Sequence, residues 1–319
     1  MDRRDFLKVF SAGTAAAVGG HLIWRAGETV SPVVPLLEDI PAHPDELAEA
    51  ILYLDGPGPD LAAYLETFQA GGLASRVETD DLDGYLEKMH NFEAEHFEDV
   101  FLSADRYAVL LSTFKRMDRV QSLVGHGNFN VLAFDDMLNY SRRYESVGAF
   151  PAEEENFLEE IFSENAQRYG FLGNKVITEL TARVPERDTV RIASTGHFLF
   201  KGDSLALYRK VQKDVGGDIV LTSGIRSIVK QTYLFLAKTI QSKGNLSRAS
   251  RSLAPPGHSF HGIGDFDVGK AGFGTRNFTA DFARTDEFRR LLDLGYVDMR
   301  YPEDNLLGVR YEPWHIKVV

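Results

Sequence analysis

The chain has 319 residues, a formal net charge of −12 and no cysteine. The acidic balance argues against nucleic acid or an anionic membrane surface as the main partner, because both attract basic proteins. The lack of cysteine excludes structural disulfides and thiolate metal sites, so a metal ion would have to be held by His, Asp or Glu. The length predicts two domains, and a hydrophobic content of 44% is ordinary for globular ones.

Residues 1–24 predict an export signal. The stretch from Arg3 to Lys8 resembles the twin-arginine export motif, and a run of small and apolar residues follows from Val9 to Gly20. This run is shorter than the ~20 residues of a membrane span, but it suits the apolar part of a signal. We therefore expect an exported protein of the periplasm or cell envelope. Its membrane contact would be the signal alone, either cleaved or kept as an anchor.

Four prolines break any long helix in residues 25–45, which predict a linker. From 46 to about 187, apolar residues recur at helical spacing, as in Leu47 and Ile51, and predict a mostly helical domain. Its acidic run at 91–99 predicts a solvated helix face rather than a metal site. No chemistry motif identifies the role of this domain, so a wall-binding or substrate-positioning module and a structural companion both remain open.

Residues 188–319 predict a second domain of mixed structure. β-Branched residues indicate short strands at 190–192 and 218–222. Apolar spacing indicates helices at 204–215, 228–242 and 286–294, with a basic, serine-rich loop at 245–256. Helices and strands in mixed order with antiparallel returns predict an α+β fold with a central antiparallel sheet.

Two short segments of this second domain, 256–269 and 312–315, carry the residues with metal chemistry. Together they supply two imidazoles and a carboxylate that could hold one metal ion, with a further carboxylate beside it. Three protein ligands leave a fourth position for water, which is the pattern of a catalytic zinc site rather than a closed structural one. The sequence therefore predicts a site for Zn2+ in the C-terminal domain.

These segments resemble the zinc D-alanyl-D-alanine carboxypeptidases (VanY-like), relatives of the hedgehog and lysostaphin-type zinc folds. That family carries Ser-x-His-x-x-Gly-x-Ala-x-Asp and then Glu-x-Trp-His. The first half is fitted by Ser259, His261 and Gly264, and the second by Glu312, Trp314 and His315. Upstream, the run from Ser223 to Ser227 with Gln231 resembles the family's Ser-Gly-Tyr-Arg-Ser…Gln segment. The resemblance covers the last ~130 residues, an ordinary size for one domain.

The aspartate register departs from the family pattern, which places Asp seven positions after the metal-binding His. Here Asp267 is six positions after His261. The pair His258 and Asp265 has the seven-residue offset, but it loses the Ser-x-His and the Gly three positions later. We prefer His261 with Asp267 and a one-residue deletion, and Asp265 stays open as the alternative ligand.

The resemblance implies a role for each matched residue. His261, Asp267 and His315 would hold zinc, and Glu312 would be the general base. Arg226 would pair with the substrate carboxylate or with the developing oxyanion, which makes it both a catalytic and a substrate-binding residue. Substrate contacts would also come from Gln231 and Ser259.

The function that the resemblance implies is a metallopeptidase acting on peptidoglycan stem peptides, with D-Ala-D-Ala carboxypeptidase activity through zinc-activated water. An endopeptidase of the same chemistry and a non-catalytic zinc-bound module that grips cell wall or peptide are the alternatives. Glu312 favours an enzyme, because a binding module has no need for a base beside the metal. The sequence predicts no oligomeric state.

Overall fold

A computed structural model of the chain describes residues 82–319. The predicted export signal (1–24), the predicted linker (25–45) and the start of the predicted helical domain (46–81) lie outside the described residues. Among the helices of the described range, none combines the length and the apolar character needed to cross a membrane.

The first part of the described range is helical. Its five α-helices are α1 (Leu82–His90), α2 (Ala104–Val124), α3 (His126–Phe129), α4 (Phe134–Arg143) and α5 (Ala152–Ser163). Helix α2 buries Leu110, Met117 and Val120, which lie on one face because they are separated by whole helical turns. Helix α5 begins after Pro151 with glutamates in its first turn, where the positive end of the helix dipole stabilises them.

The second part mixes helices with short strands. Its helices are α6 (Asp203–Val215), α7 (Ile228–Gln241), α8 (Leu246–Ser252) and α9 (Asp286–Asp293). The strands are β1 (Thr189–Arg191), β2 (Phe198–Phe200), β3 (Ile219–Ser223), β4 (Phe266–Lys270) and β5 (His315–Ile316). Helix α8 corrects the loop predicted at 245–256, and it forms because Asn245 caps it by accepting a 2.8 Å hydrogen bond from the Arg248 amide.

The strands form two antiparallel sheets, β1 with β2 and a three-stranded sheet in the order β3-β4-β5. The predicted α+β class is confirmed. In the larger sheet, Ser223 of β3 pairs with Asp267 of β4, and Asp267 pairs with His315 of β5. The register therefore places three polar residues in one row across the sheet.

The described residues form two apolar cores. One joins α2, α4 and α5 to α7 and α8, with Phe129, Phe157 and Phe235 fully buried in it. The other joins the larger sheet to α6 and α9 and contains Phe266 and Trp314. The domain boundary predicted at residue 187 stays a prediction, and the first of these cores draws residues from both sides of it.

The acidic run at 91–99 consists of turns, not the solvated helix face that the sequence predicts. Glu93 pairs with Lys238 of α7 at 2.7 Å and with Arg248 of α8 at 2.8 Å. Asp99 pairs with Arg251 of α8 at 2.7 Å, and both of those side chains are buried. The acids therefore fasten this segment to the basic face of α7 and α8.

Candidate metal centre

Three side chains converge on one point beside the larger sheet. Asp267 and His315 come from paired strands, and His261 comes from the 3-10 turn Phe260–Gly262 that precedes β4. Oδ1 of Asp267 lies 3.2 Å from Nε2 of His261 and 3.2 Å from Nδ1 of His315. All three residues are buried, and one ligand atom from each lies within 4.8 Å of the others.

The donor set fits a divalent cation. Nε2 of His261 and Oδ1 of Asp267 are buried, and neither has a hydrogen-bond partner in the described part of the chain. Leaving buried polar atoms without partners costs free energy, so two such atoms facing each other point to a third group that satisfies both. Two imidazole nitrogens and a carboxylate oxygen are ligands that suit zinc.

The backbone fixes the orientation of His261. Its Nδ1 lies 2.8 Å from the carbonyl oxygen of Gly224, which can only accept, so Nδ1 carries the proton and Nε2 keeps its lone pair. A Cβ at position 224 would lie 2.1 Å from the carbonyl oxygen of Phe198 on β2, so only glycine fits there. Burial, together with the charge of Arg226, holds the pKa of His261 below its ordinary value.

Asp265, the alternative ligand, lies behind His315 instead. Its Oδ2 accepts from Nε2 of His315 at 3.0 Å, and its two oxygens also receive Nε and Nη2 of Arg300. His258 lies 3.1 Å from the carbonyl oxygen of Gly173 through Nδ1. The structure thus brings His261, Asp267 and His315 together, and it does not bring the His258–Asp265 pair into that cluster.

Arg226 forms an ion pair with Oδ2 of Asp267, the carboxylate oxygen that does not face the histidines. Its Nη2 donates to Oδ2 of Asp267 at 2.8 Å, and its Nε donates to Oγ of Ser223 at 2.8 Å. Burial alone would raise the pKa of Asp267, but the charge of the Arg226 guanidinium, 2.8 Å away, outweighs burial and holds that pKa well below its usual range. Asp267 is therefore ionised at neutral pH, as a metal ligand must be.

Glu312 lies at the rim of the cluster, with Oε2 3.6 Å from Nδ1 of His315. Burial and the nearby charge of Asp267 raise the pKa of Glu312 to about 7 despite the opposing effect of His315. A carboxyl group with this pKa can accept and return a proton near neutral pH. Pro313 and Trp314 separate it from His315, and the Trp314 ring is buried in the second core.

Two cavities adjoin the cluster. The residues that line the smaller cavity include Gln231, Ser259, Tyr301, Arg226 and Glu312. Nε2 of Gln231 donates to the carbonyl oxygen of Ala254 at 2.5 Å, while its buried Oε1 has no hydrogen-bond partner within residues 82–319. Gln231 and Ser259, the predicted substrate-binding residues, therefore border the same space as the candidate metal ligands.

The larger cavity, of about 110 Å³, is also lined by Arg226 and Glu312. Its walls include Asp267, Trp314, Lys238, Arg310 and, from the predicted helical domain, Glu93. Sequence reasoning missed Tyr301, Lys238 and Arg310. Only the position of Arg310, two residues before Glu312, could have pointed to the site.

The fold and the cluster define a mixed α/β domain with a candidate metal centre. Residues 203–319 match the family model "VanY: D-alanyl-D-alanine carboxypeptidase". The C-terminal part of the chain therefore carries a VanY-like domain, and the family predicted from the motifs is confirmed for that part.

One similar solved structure is a mutant of the vancomycin resistance D,D-pentapeptidase VanY from a VanB-type resistance cassette, in complex with Zn(II). The two chains are 21% identical over 47% of this chain and 88% of that one, with a TM-score of 0.34. No curated protein matches the chain.

Proposed function

We propose that the chain is an exported zinc-dependent peptidase that hydrolyses peptidoglycan stem peptides as a D-Ala-D-Ala carboxypeptidase. One observation carries the proposal: a buried carboxyl group, Glu312, lies 3.6 Å from His315, beside a cluster of two histidines and an aspartate that fits a divalent cation. The family match over residues 203–319 supports the substrate class.

His261, Asp267 and His315 would hold the metal through Nε2, a carboxylate oxygen and Nδ1. A bound zinc ion supplies Lewis acidity, which polarises a carbonyl group and lowers the pKa of water to ~7. Asp265 keeps Nδ1 of His315 free to serve as a ligand, because it occupies the other ring nitrogen. The carbonyl oxygen of Gly224 does the same for His261.

Glu312 would move the proton. It accepts a proton from the attacking water and returns it to the amine that leaves, which requires a pKa close to the working pH. A carboxyl group of ordinary pKa would be a weaker base. Because Glu312 lies on the walls of both cavities, its carboxylate can reach a water molecule beside a bound peptide.

Arg226, Gln231 and Ser259 line the smaller cavity, whose volume of about 10 Å³ admits about one water molecule, and they would contact a peptide bound at its mouth. The unpartnered Oε1 of Gln231 can accept from a peptide N–H, and Ser259 can donate or accept. Arg226 holds Asp267 and also lines both cavities, so its guanidinium can meet a substrate carboxylate or a developing oxyanion.

The test is the incubation of zinc-loaded protein with a defined stem pentapeptide ending in D-Ala-D-Ala, with products identified by mass. Release of the last D-Ala is the expected result. Cleavage at an internal bond would identify an endopeptidase instead. An intact peptide that nevertheless binds to zinc-loaded protein would identify the non-catalytic module.

A further inference from the structure

We propose that the larger cavity is a carboxylate-binding subsite for the peptide, with Arg310 as its anchor. The cavity, here called the Arg310 cleft, is bordered by Glu93, Lys238, Trp314 and Glu312. The inference rests on the proposed function in one respect, because it takes the ligand to be a peptide. Its volume of about 110 Å³ is far below that of a pocket for a drug-sized ligand, so it suits one small group.

Arg310 is held rigidly at the cleft wall. Its guanidinium lies over the rings of Phe92 and Trp314, at 4.7 and 5.1 Å from the ring centroids. Its Nη2 donates to the carbonyl oxygen of Phe278 at 3.0 Å. Contacts with two aromatic rings and a carbonyl oxygen restrict the side chain, so less side-chain entropy is lost when it binds a ligand.

The terminal nitrogens of the guanidinium are the donors that a ligand in the cleft could reach, because Nε is buried. Nη2 donates to Phe278, and no carboxylate within residues 82–319 forms an ion pair with Arg310. The other two cations of the cleft already have carboxylate partners: Lys238 pairs with Glu93, and Arg226 pairs with Asp267. Among these three cations of the cleft, Arg310 is the one without an ion pair to a carboxylate of the described residues, so it can bind a ligand's carboxylate without displacing a partner.

The helical part of the chain contributes to this subsite. Phe92 supplies one of the two aromatic rings, and Glu93 pairs with the Lys238 ammonium at 2.7 Å, both of them lining the cleft. Both lie in the 91–99 segment, which the buried Asp99–Arg251 pair fastens to α8. One task of the helical part is therefore to complete the Arg310 cleft.

A peptide substrate offers two kinds of carboxylate, its C-terminal group and acidic side chains, and four probe peptides distinguish them. The parent is a D-Ala-D-Ala pentapeptide with one acidic side chain. The others are amidated at the C-terminus, at the side chain or at both. Dissociation constants are measured by calorimetry on the zinc-loaded full chain in the Glu312→Gln background, so that no peptide is consumed, and hydrolysis is followed separately with Glu312 intact.

Amidation of the recognised carboxylate should weaken binding by about ten-fold or more, the usual worth of a charged hydrogen-bonded contact. In Arg310→Gln that difference should vanish, while Arg310→Lys keeps part of it because the charge remains. Arg284→Gln, which removes an exposed arginine far along the chain from the cleft, should leave the preference unchanged. Melting curves show whether each variant is folded.

Equal affinity of the wild-type cleft for all four peptides would overturn the subsite, as would no binding of any of them at millimolar concentration. A preference that survives in both Arg310 variants would also overturn it. If the protein distinguishes the peptides by their carboxylates but hydrolyses none of them, the subsite is supported and the proposed function is refuted. If the protein hydrolyses the peptide but Arg310→Gln keeps the wild-type preference, the proposed function is supported and the subsite is refuted.

Discussion

Asp265 accepts a hydrogen bond from Nε2 of His315 at 3.0 Å, and this contact leaves Nδ1 of the same ring 3.2 Å from Asp267. The carboxylate thus selects which nitrogen of His315 faces the cluster. Arg300 and the amide of Val318 hold Asp265 in turn, at 2.7 and 2.8 Å. Because its two oxygens are used in this way, Asp265 is suited to orient a ligand rather than to be one.

Asp265→Asn should therefore weaken zinc binding without abolishing it. Loss of a carboxylate behind a histidine ligand typically costs 10–100-fold in metal affinity. Asp267→Asn, which removes a direct ligand, should cost far more. Competition with a chelator measures both zinc affinities. Thermal melting shows whether the Asp265 variant stays folded after Arg300 loses its carboxylate partner. A larger loss in the Asp265 variant would favour the alternative register.

Wild-type protein should hold about one zinc ion per chain, and His261→Ala or His315→Ala should lose it. Each substitution removes one of the three ligand atoms, so the affinity for zinc falls steeply. His258→Ala is the matched control, because its ring contacts the carbonyl oxygen of Gly173 and the Phe171 ring outside the cluster. Elemental analysis that finds full zinc occupancy in both ligand variants would refute the assignment.

Asp99 makes stability depend on pH. Burial alone would raise its pKa, but hydrogen bonds from Arg251 and Asn245 outweigh burial and lower it. A lowered folded-state pKa stabilises the fold above the unfolded value of about 4, and this contribution is lost as the pH falls. Asp99→Asn should destabilise the protein by about 3 kcal/mol at pH 7, because it leaves Arg251 buried without its partner.

Denaturant unfolding of both proteins from pH 7 to pH 3 checks this prediction. The difference in the free energy of unfolding between wild type and Asp99→Asn should be constant above about pH 5 and should decrease below it. Asp286→Asn, which breaks the exposed pair with Arg289, is the control and should change stability by less than about 0.5 kcal/mol. A gap that does not depend on pH would show that Asp99 has no lowered pKa.

The export signal lies outside the described residues and stays a prediction. Arg3→Lys with Arg4→Lys should retain the protein in the cytoplasm in folded form, because the arginine pair is an address rather than part of the fold. Fractionation followed by immunoblotting measures this. Delivery of the double variant across the membrane at the wild-type level would argue against a twin-arginine signal.

Motif order predicted which residues would meet, because Ser259, His261, Glu312 and His315 keep the spacing of a known family. Strand β3 was predictable from its β-branched residues. Strand β4 was not, since Asp267 and Gly269 are unfavourable in strands, and Gly269 is there because the side chains of Asn277 and Thr222 occupy the place of a Cβ.

The contacts around the site could not be read from the sequence. Asp265 meets Arg300, and Arg226 meets Asp267, across 35 and 41 positions of chain. Such pairings depend on strand register and on helix packing, which local spacing does not encode. Arg226 is an example: its motif predicts a contact with substrate, while the structure also gives it a 2.8 Å bond to Asp267.

The most direct test of the account is the effect of Glu312→Gln on hydrolysis of a D-Ala-D-Ala pentapeptide by zinc-loaded protein. Glutamine keeps the size of the side chain and one accepting oxygen but cannot take up a proton. We predict a fall in kcat of ~10²–10⁴-fold with zinc occupancy and peptide affinity nearly unchanged. Wild-type turnover by the Glu312→Gln protein would contradict the account, because the proton would then be moved by another group.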